Sequence, residues 1–416
     1  MGVPTCIRGI HLAYTTAKTL SRDIGSSVAP DGTQLTRCPS ALSGVVLAAF
    51  AAGCGFSTAG EDPLFAKSSA IAEDLPCADY HVDDGTEEGH STHLGCTGLY
   101  SNWSQRVVAP DAREFTPGYT LWSDGADKNR WIFIPPGSQI DTGGTGGSGA
   151  MDDWIFPVGT KAWKQFSFGP RLVETRLLWK RSAGWFRATY VWSDDESNAM
   201  EYTGSTGVLV EGIDPEGPGY EIPPASACVQ CHGGASDTLL GFEAISLAVE
   251  EARGLTLDEL VRQELLTENP DRPYLIPGDV DTKEALGWLH SNCGTACHND
   301  RRLPGATQLH LSLKTFALAT VEDTDTWTTA VGRPSRYRPS PLCGESPWLR
   351  ISPGDPECST VSYRARVRDA YPGPYFNQMP PLLSHRVSVE AVEILRRWIV
   401  SIPPQAPAQP SPPTDL

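Results

Sequence analysis

Four stretches in the first half of the chain alternate apolar and polar positions with the period of two that a half-buried strand needs. They are RWIFIP (Arg130–Pro135), KAWKQFSF (Lys161–Phe168), VETRLLWK (Val173–Lys180) and GWFRATYVW (Gly184–Trp192), rich in aromatic and β-branched residues and separated by Gly, Pro and Asp. Short strands so spaced predict a sandwich-like β module over residues 96–221. From residue 222 the texture turns helical. Thr256 with Glu259 and Asp281 with Glu284 form capping boxes ahead of LVRQELL and ALGWLH. A last helix over Ser388–Ser401 gathers Val392, Leu395 and Ile399 on one face. The expected class is α+β and multidomain, with a β-sandwich-like module before a mainly α region that ends near residue 402.

One apolar run stands apart, ALSGVVLAAFAAGC from Ala41 to Cys54. It is short for a bilayer span but fits the core of an export signal, with Arg37 ahead of it. Ala51, Ala52 and Gly53 before Cys54 resemble a bacterial lipobox, although position 51 usually holds Leu there. Residues 1–53 are therefore expected to be a leader and Cys54 a lipidated N-terminus, the alternative being a plain secretory signal. Residues 54–95 read as a tether with a disulfide-held loop, and the Pro-rich stretch 403–416 as a disordered tail. His81, His90 and His93 show no regular metal spacing and are expected at the surface. Thr142–Ala150, TGGTGGSGA, lacks the Lys-Ser/Thr of a phosphate loop.

Composition narrows the partners. A formal charge of −17 over 416 residues argues against nucleic acid, whose phosphates call for a basic surface. Export with lipid at Cys54 implies a membrane surface and an oxidising compartment. Gly55 after the cysteine favours the outer membrane of a Gram-negative envelope over the inner one.

Eleven cysteines are present. Cys6 and Cys38 fall in the leader. Cys77, Cys96, Cys343 and Cys358 suit two local disulfides, Cys77–Cys96 and Cys343–Cys358. The remaining four sit in two motifs, CVQCH (Cys228–His232) and CGTACH (Cys293–His298). Two cysteines on one helical turn, followed at once by histidine, present both sulfurs to one porphyrin edge and a ring nitrogen to the iron. Cys228, Cys231 and His232 fit a haem c site. Cys293, Cys297 and His298 hold one extra residue, which can bulge from the turn and leave both sulfurs on one side. The alternative, one zinc bound by all four cysteines, would separate its halves by roughly sixty residues, far beyond ribbon spacing.

The expected cofactors are two haem c groups. Met379, in a Met-Pro-Pro turn before the last helix, is the expected distal ligand opposite His298. For the first motif the candidates stay open: His290 one turn before Cys293, Met200, His310, or an open position. The Asp124 and Lys128 stretch could meet a partner or cation, though such turns are more often structural.

CTGLYSNW, YTLWSDGADKNRWIFIPPGSQI (Tyr119–Ile140), WIFPVGTKAWKQF and ETRLLW precede the first motif, and LGWLHSNCGTACHND, SPGDPECSTVSYR and MPPL follow it. In this order, over about residues 94–402, they resemble an uncharacterised family of bacterial dihaem c-type cytochrome lipoproteins. There the second motif has two intervening residues, whereas this chain has three. The resemblance implies a cytochrome c-like region over 222–402, haem binding, electron transfer and a redox partner protein. It supplies no substrate. The expected function is an electron carrier, with a dihaem peroxidase or oxidase holding one open iron as the enzyme alternative and an adhesion or scaffold lipoprotein as the remaining one.

Overall fold

The alternating runs form strands because each carries apolar side chains at the required period, and two of them keep their expected bounds. The computed structural model describes residues 72–77, 81–82, 89–143, 150–214, 217, 219–233, 237, 239–301, 308–337, 343, 348–369 and 377–404. The expected leader, the Cys54 lipid site, the centre of the Thr142–Ala150 loop and nearly all of the tail lie outside the described residues. Residues 60–416 cluster as one unit.

Two short hairpins open the described chain: β1 (His81–Val82) with β2 (His90–Ser91), and β3 (Tyr100–Asn102) with β4 (Val107–Val108). The main sheet takes β5 (Arg113–Thr116), β6 (Asp127–Phe133), β7 (Lys161–Phe168), β8 (Arg171–Arg181), β9 (Gly184–Trp192) and β10 (Ala199–Glu201). A further pair, β11 (Val208–Val210) with β12 (Tyr220–Ile222), precedes the first cysteine motif. β13 (Arg253–Gly254) completes the seven-stranded antiparallel sheet, in the order β10-β9-β8-β7-β6-β5-β13. The helices are α1 (Val229–His232), α2 (Ala244–Ala248), α3 (Leu257–Arg262), α4 (Val280–Leu289), α5 (Asp325–Ala330), α6 (Thr360–Arg366) and α7 (Val389–Ser401). The class is mixed α+β, and among the described residues no helix is long and apolar enough to cross a membrane.

The expected strands lie side by side in one sheet rather than in two facing layers, because both faces of this sheet are apolar. Trp131, Phe133, Trp163, Leu177 and Tyr190 face the N-terminal segment, packing on Leu94, Leu99 and Trp103. Ile132, Ala162 and Leu178 face the helices and share a core with Leu286, Leu289, Leu395 and Trp398. One of the sheet's two edge strands, β13, comes from beyond residue 222, so the sheet shares backbone hydrogen bonds as well as a core with the later part of the chain.

Thr256 caps α3 with its hydroxyl, as expected, and Ser388 caps α7 in the same way. The cap of α4 is Asp279, which accepts from Thr282 N, two residues before the expected Asp281. Two of the histidines expected at the surface, His90 and His93, are drawn inward. His93 is 1 % exposed, accepts from Gly95 N through Nδ1 at 3.0 Å and packs edge-on against Trp103. His90 pairs with Glu201 at 2.8 Å. The N-terminal segment is thus the cover of one sheet face, which a tether would not be.

Both expected disulfides are formed, Cys77–Cys96 with Cα atoms 5.4 Å apart and Cys343–Cys358 with 5.6 Å. The second closes a separation of 15 residues. Cys358→Ser should therefore lower the unfolding free energy by about 3 kcal/mol in the chain-entropy account. Denaturant titration checks this, and a variant as stable as wild type would show that the loop is held without the bond.

Candidate functional site

The second motif begins where α4 changes pitch. After Leu289 the chain makes a π turn over His290–Gly294. Thr295 N donates to His290 O at 2.9 Å, and His298 N reaches back five residues to Cys293 O at 2.8 Å. A π turn is the helix's way of housing one extra residue, so the third intervening residue of CGTACH is absorbed as a wider turn. Gly294 is required there: a Cβ on it would lie 2.4 Å from Ser312 N. Leu311 N donates to His298 O at 2.7 Å, and Asn299 Nδ2 donates to Gly294 O at 2.7 Å, which fixes the turn.

Cys293, Cys297 and His298 line one cavity of about 1020 Å³ including its mouth, and Met379 lines the same cavity. Trp288, Leu309, Leu311 and Val361 make most of the rest apolar. Met379 is held by its backbone, N donating to Arg364 O at 2.8 Å. Next to it the buried Gln378 amide donates to Pro380 O and Ser384 O. Burial lowers the pKa of the His298 ring, against a hydrogen bond to the Leu309 backbone. That bond orients the ring, while burial favours the neutral imidazole, the form that ligates metals.

Cys228, Cys231 and His232 lie on and just before α1, and Arg187 Nη2 donates to His232 O at 3.4 Å. They line another, larger cavity of about 1640 Å³ including its mouth, the first motif's cavity, between the sheet and the Pro380–Ser384 loop. The two cavities share Asn292, Cys297, Pro380 and Pro381. Asn292 ties the end of α4 to the Thr120–Trp122 stretch: Oδ1 accepts from Trp122 N at 2.6 Å, while Nδ2 donates to Trp288 O and Thr120 O. The Asp124 turn is structural, its carboxylate accepting from His385 N at 2.6 Å and Arg386 N at 3.2 Å. His385 Nε2 meets Glu221 at 2.7 Å.

The structure does not bring the candidates for the first motif's distal position to this cavity. His290 lines a separate cavity, and both its ring nitrogens are taken: Nδ1 accepts from Leu313 N at 2.9 Å, and Nε2 meets Glu243 Oε1 at 3.2 Å. Met200 lies on edge strand β10, and the His310 backbone exchanges hydrogen bonds with Thr329 Oγ1. Among the described lining residues, His232 is the sole imidazole and there is no methionine.

Lys128, Lys164 and Arg176 line this cavity from the sheet, a feature the strand pattern disguised by placing them where solvent was expected. Burial, then neighbouring Arg130 and Arg176, pulls Lys164 down to about 7, and the same causes with Lys164 hold Lys128 well below the usual amine range. Burial works against the Arg176 guanidinium too, but the Glu174 carboxylate it grips more than restores it.

Among the described residues no three Cys, His, Asp or Glu side chains converge as ligands for a metal ion, so the four-cysteine zinc alternative finds no cluster. Burial, helped by Cys297, pushes the Cys293 thiol up to about 12, and burial raises Cys228. The donor sets fit haem: each motif brings two thiols and one histidine to its cavity, and Met379 adds a thioether to the cavity of Cys293, Cys297 and His298. No family model, curated protein or solved structure matches this chain.

Proposed function

We propose that the chain is an exported dihaem c-type cytochrome lipoprotein that carries electrons in the bacterial cell envelope. One observation carries this reading: the two motifs line adjoining cavities that share Asn292, Cys297, Pro380 and Pro381, with Met379 in the cavity of the second. Cys228 and Cys231 would bind one haem with His232 as axial ligand, and Cys293 and Cys297 the other, between His298 and Met379. Each haem, when bound, supplies reversible one-electron chemistry. The chain's share is to hold the two sites side by side, to exclude water with Trp288, Leu309 and Leu311, and to set each site's polarity.

The finer architecture follows from the same reading: a β-rich module built on one large sheet, supporting a cytochrome c-like region. Cys54 would carry the lipid at the membrane, favoured as the outer one, and electrons would pass to a redox partner protein. The resemblance to dihaem cytochrome lipoproteins supports this. A second reading, an enzyme with one open iron, is favoured by the absence of methionine and of any imidazole but His232 among the described residues lining the first cavity.

The exported mature protein should stain for covalent haem and have an intact mass of two haems on a chain that begins at lipid-modified Cys54. Zinc without haem would overturn the cofactor assignment, and a single haem would restrict it to one motif.

A further inference from the structure

Cations face one another across three neighbouring strands. Arg130 on β6 is paired in register with Lys164 on β7, and Lys164 with Arg176 on β8. Lys128 lies two residues before Arg130, on the same side of the sheet, and it lines the first cavity with Lys164 and Arg176. Like charges directly opposite in a sheet repel, so such a row calls for a counter-charge.

The described residues supply too few. Glu174 is committed to Arg176, at 3.0 Å from Nε, and to the Tyr220 hydroxyl at 2.7 Å. The cavity's own carboxylates, Asp124 and Glu221, bind the His385–Arg386 segment. No hydrogen bond or ion pair is formed by Lys128 Nζ or Lys164 Nζ among the described residues. Arg130 is 1 % exposed, and its Nε and Nη2 are buried without a hydrogen-bond partner. Burial beside other cations works against the charged form of both lysines, and a bound anion would restore it.

We propose that this row is an anion-binding site on the sheet side of the first motif's cavity, taking a carboxylate or small oxyanion. Lys128 and Lys164 contact the anion, and Arg130, behind Lys164, adds field. Two sources offer that chemistry: the carboxylates of the haem bound at Cys228 and Cys231, or a free anion admitted beside it. The site rests on the cofactor reading only for the first source.

The test uses the mature two-haem protein with K128Q/K164Q, with charge-retaining K128R/K164R, and with K283Q, which removes one charge from an exposed position on α4. Calorimetry reads nitrite affinity whatever the cofactor, while bound-haem absorbance and potentials are recorded separately. The two readings therefore fail distinguishably. A free-anion site gives nitrite binding that weakens by about tenfold or more in K128Q/K164Q and survives in the other two, as expected for losing a charge-assisted hydrogen bond. A site filled by the haem's own carboxylates gives no nitrite binding, but lowers one haem potential in K128Q/K164Q alone, because removing nearby positive charge favours the ferric state. A K128Q/K164Q protein that matches wild type in both measurements overturns the proposal.

Discussion

Replacing Cys228 and Cys231 by serine should leave a folded protein with one haem, and replacing Cys293 and Cys297 should leave one with the other. The physical basis is that each motif is positioned by its own elements. α1 is a single turn backed by the β9 residue Arg187. The second motif is fixed by the π turn after α4 and by Leu311 N and Asn299. Neither pair of thiols contributes to the other's backbone hydrogen bonds, so attachment should be lost one site at a time. The second pair is the sharper case. The carbonyl of Cys293 bonds the amides of both Cys297 and His298, so the wider turn keeps the histidine directly after its cysteine in one closed ring. Intact masses of the two double variants check this: each should fall by one haem, and that step would be the largest change any substitution here produces. Should Cys293→Ser/Cys297→Ser keep the wild-type mass, the wide turn does not carry a haem and the second cavity serves something else.

The sheet and the cysteine motifs were legible in the sequence for a local reason. Lys161–Phe168 and Gly184–Trp192 announce themselves by their own alternation, and Cys-x-x-Cys-His by its own spacing. What was illegible depends on what lies across from a residue. Lys164 and Arg176 occupy alternating polar positions that normally face water, yet both faces of their sheet are covered, so their charges meet a cavity. His93 looked like a surface residue until the 72–112 segment proved to be the sheet's second cover. His290 shows how a small backbone change redirects a side chain. At i and i+3 in an α-helix, His290 and Cys293 would share a face. The π turn that begins at His290 winds more slowly than an α-helix, which rotates the two positions off a common face, and His290 points to Glu243 and Leu313 instead. The extra residue in CGTACH was visible; its consequence for a residue before it was not.

Met379→Ala should lower the potential of one redox transition, leave the other nearly unmoved, and open one iron to carbon monoxide. Met379 lines the cavity of Cys293, Cys297 and His298 and no part of the first motif's cavity, so its loss acts on one site. A thioether opposite histidine favours ferrous iron and raises the potential. Removing it should cost on the order of 0.1–0.2 V out of the ~0.8 V that axial ligands command. The loop itself should survive, because Met379 N bonds Arg364 O through its backbone and Gln378 ties Pro380 and Ser384 without the Met side chain. Redox titration followed by the reduced carbon monoxide spectrum separates the outcomes. A variant that titrates like wild type would make Met379 a loop residue only. If the wild-type protein already binds carbon monoxide at one haem, the first cavity holds the open iron, with Lys128 and Lys164 beside it. The enzyme reading then overtakes the carrier, because an iron that admits an exogenous ligand next to an anion site is arranged to turn a substrate over rather than only to pass electrons.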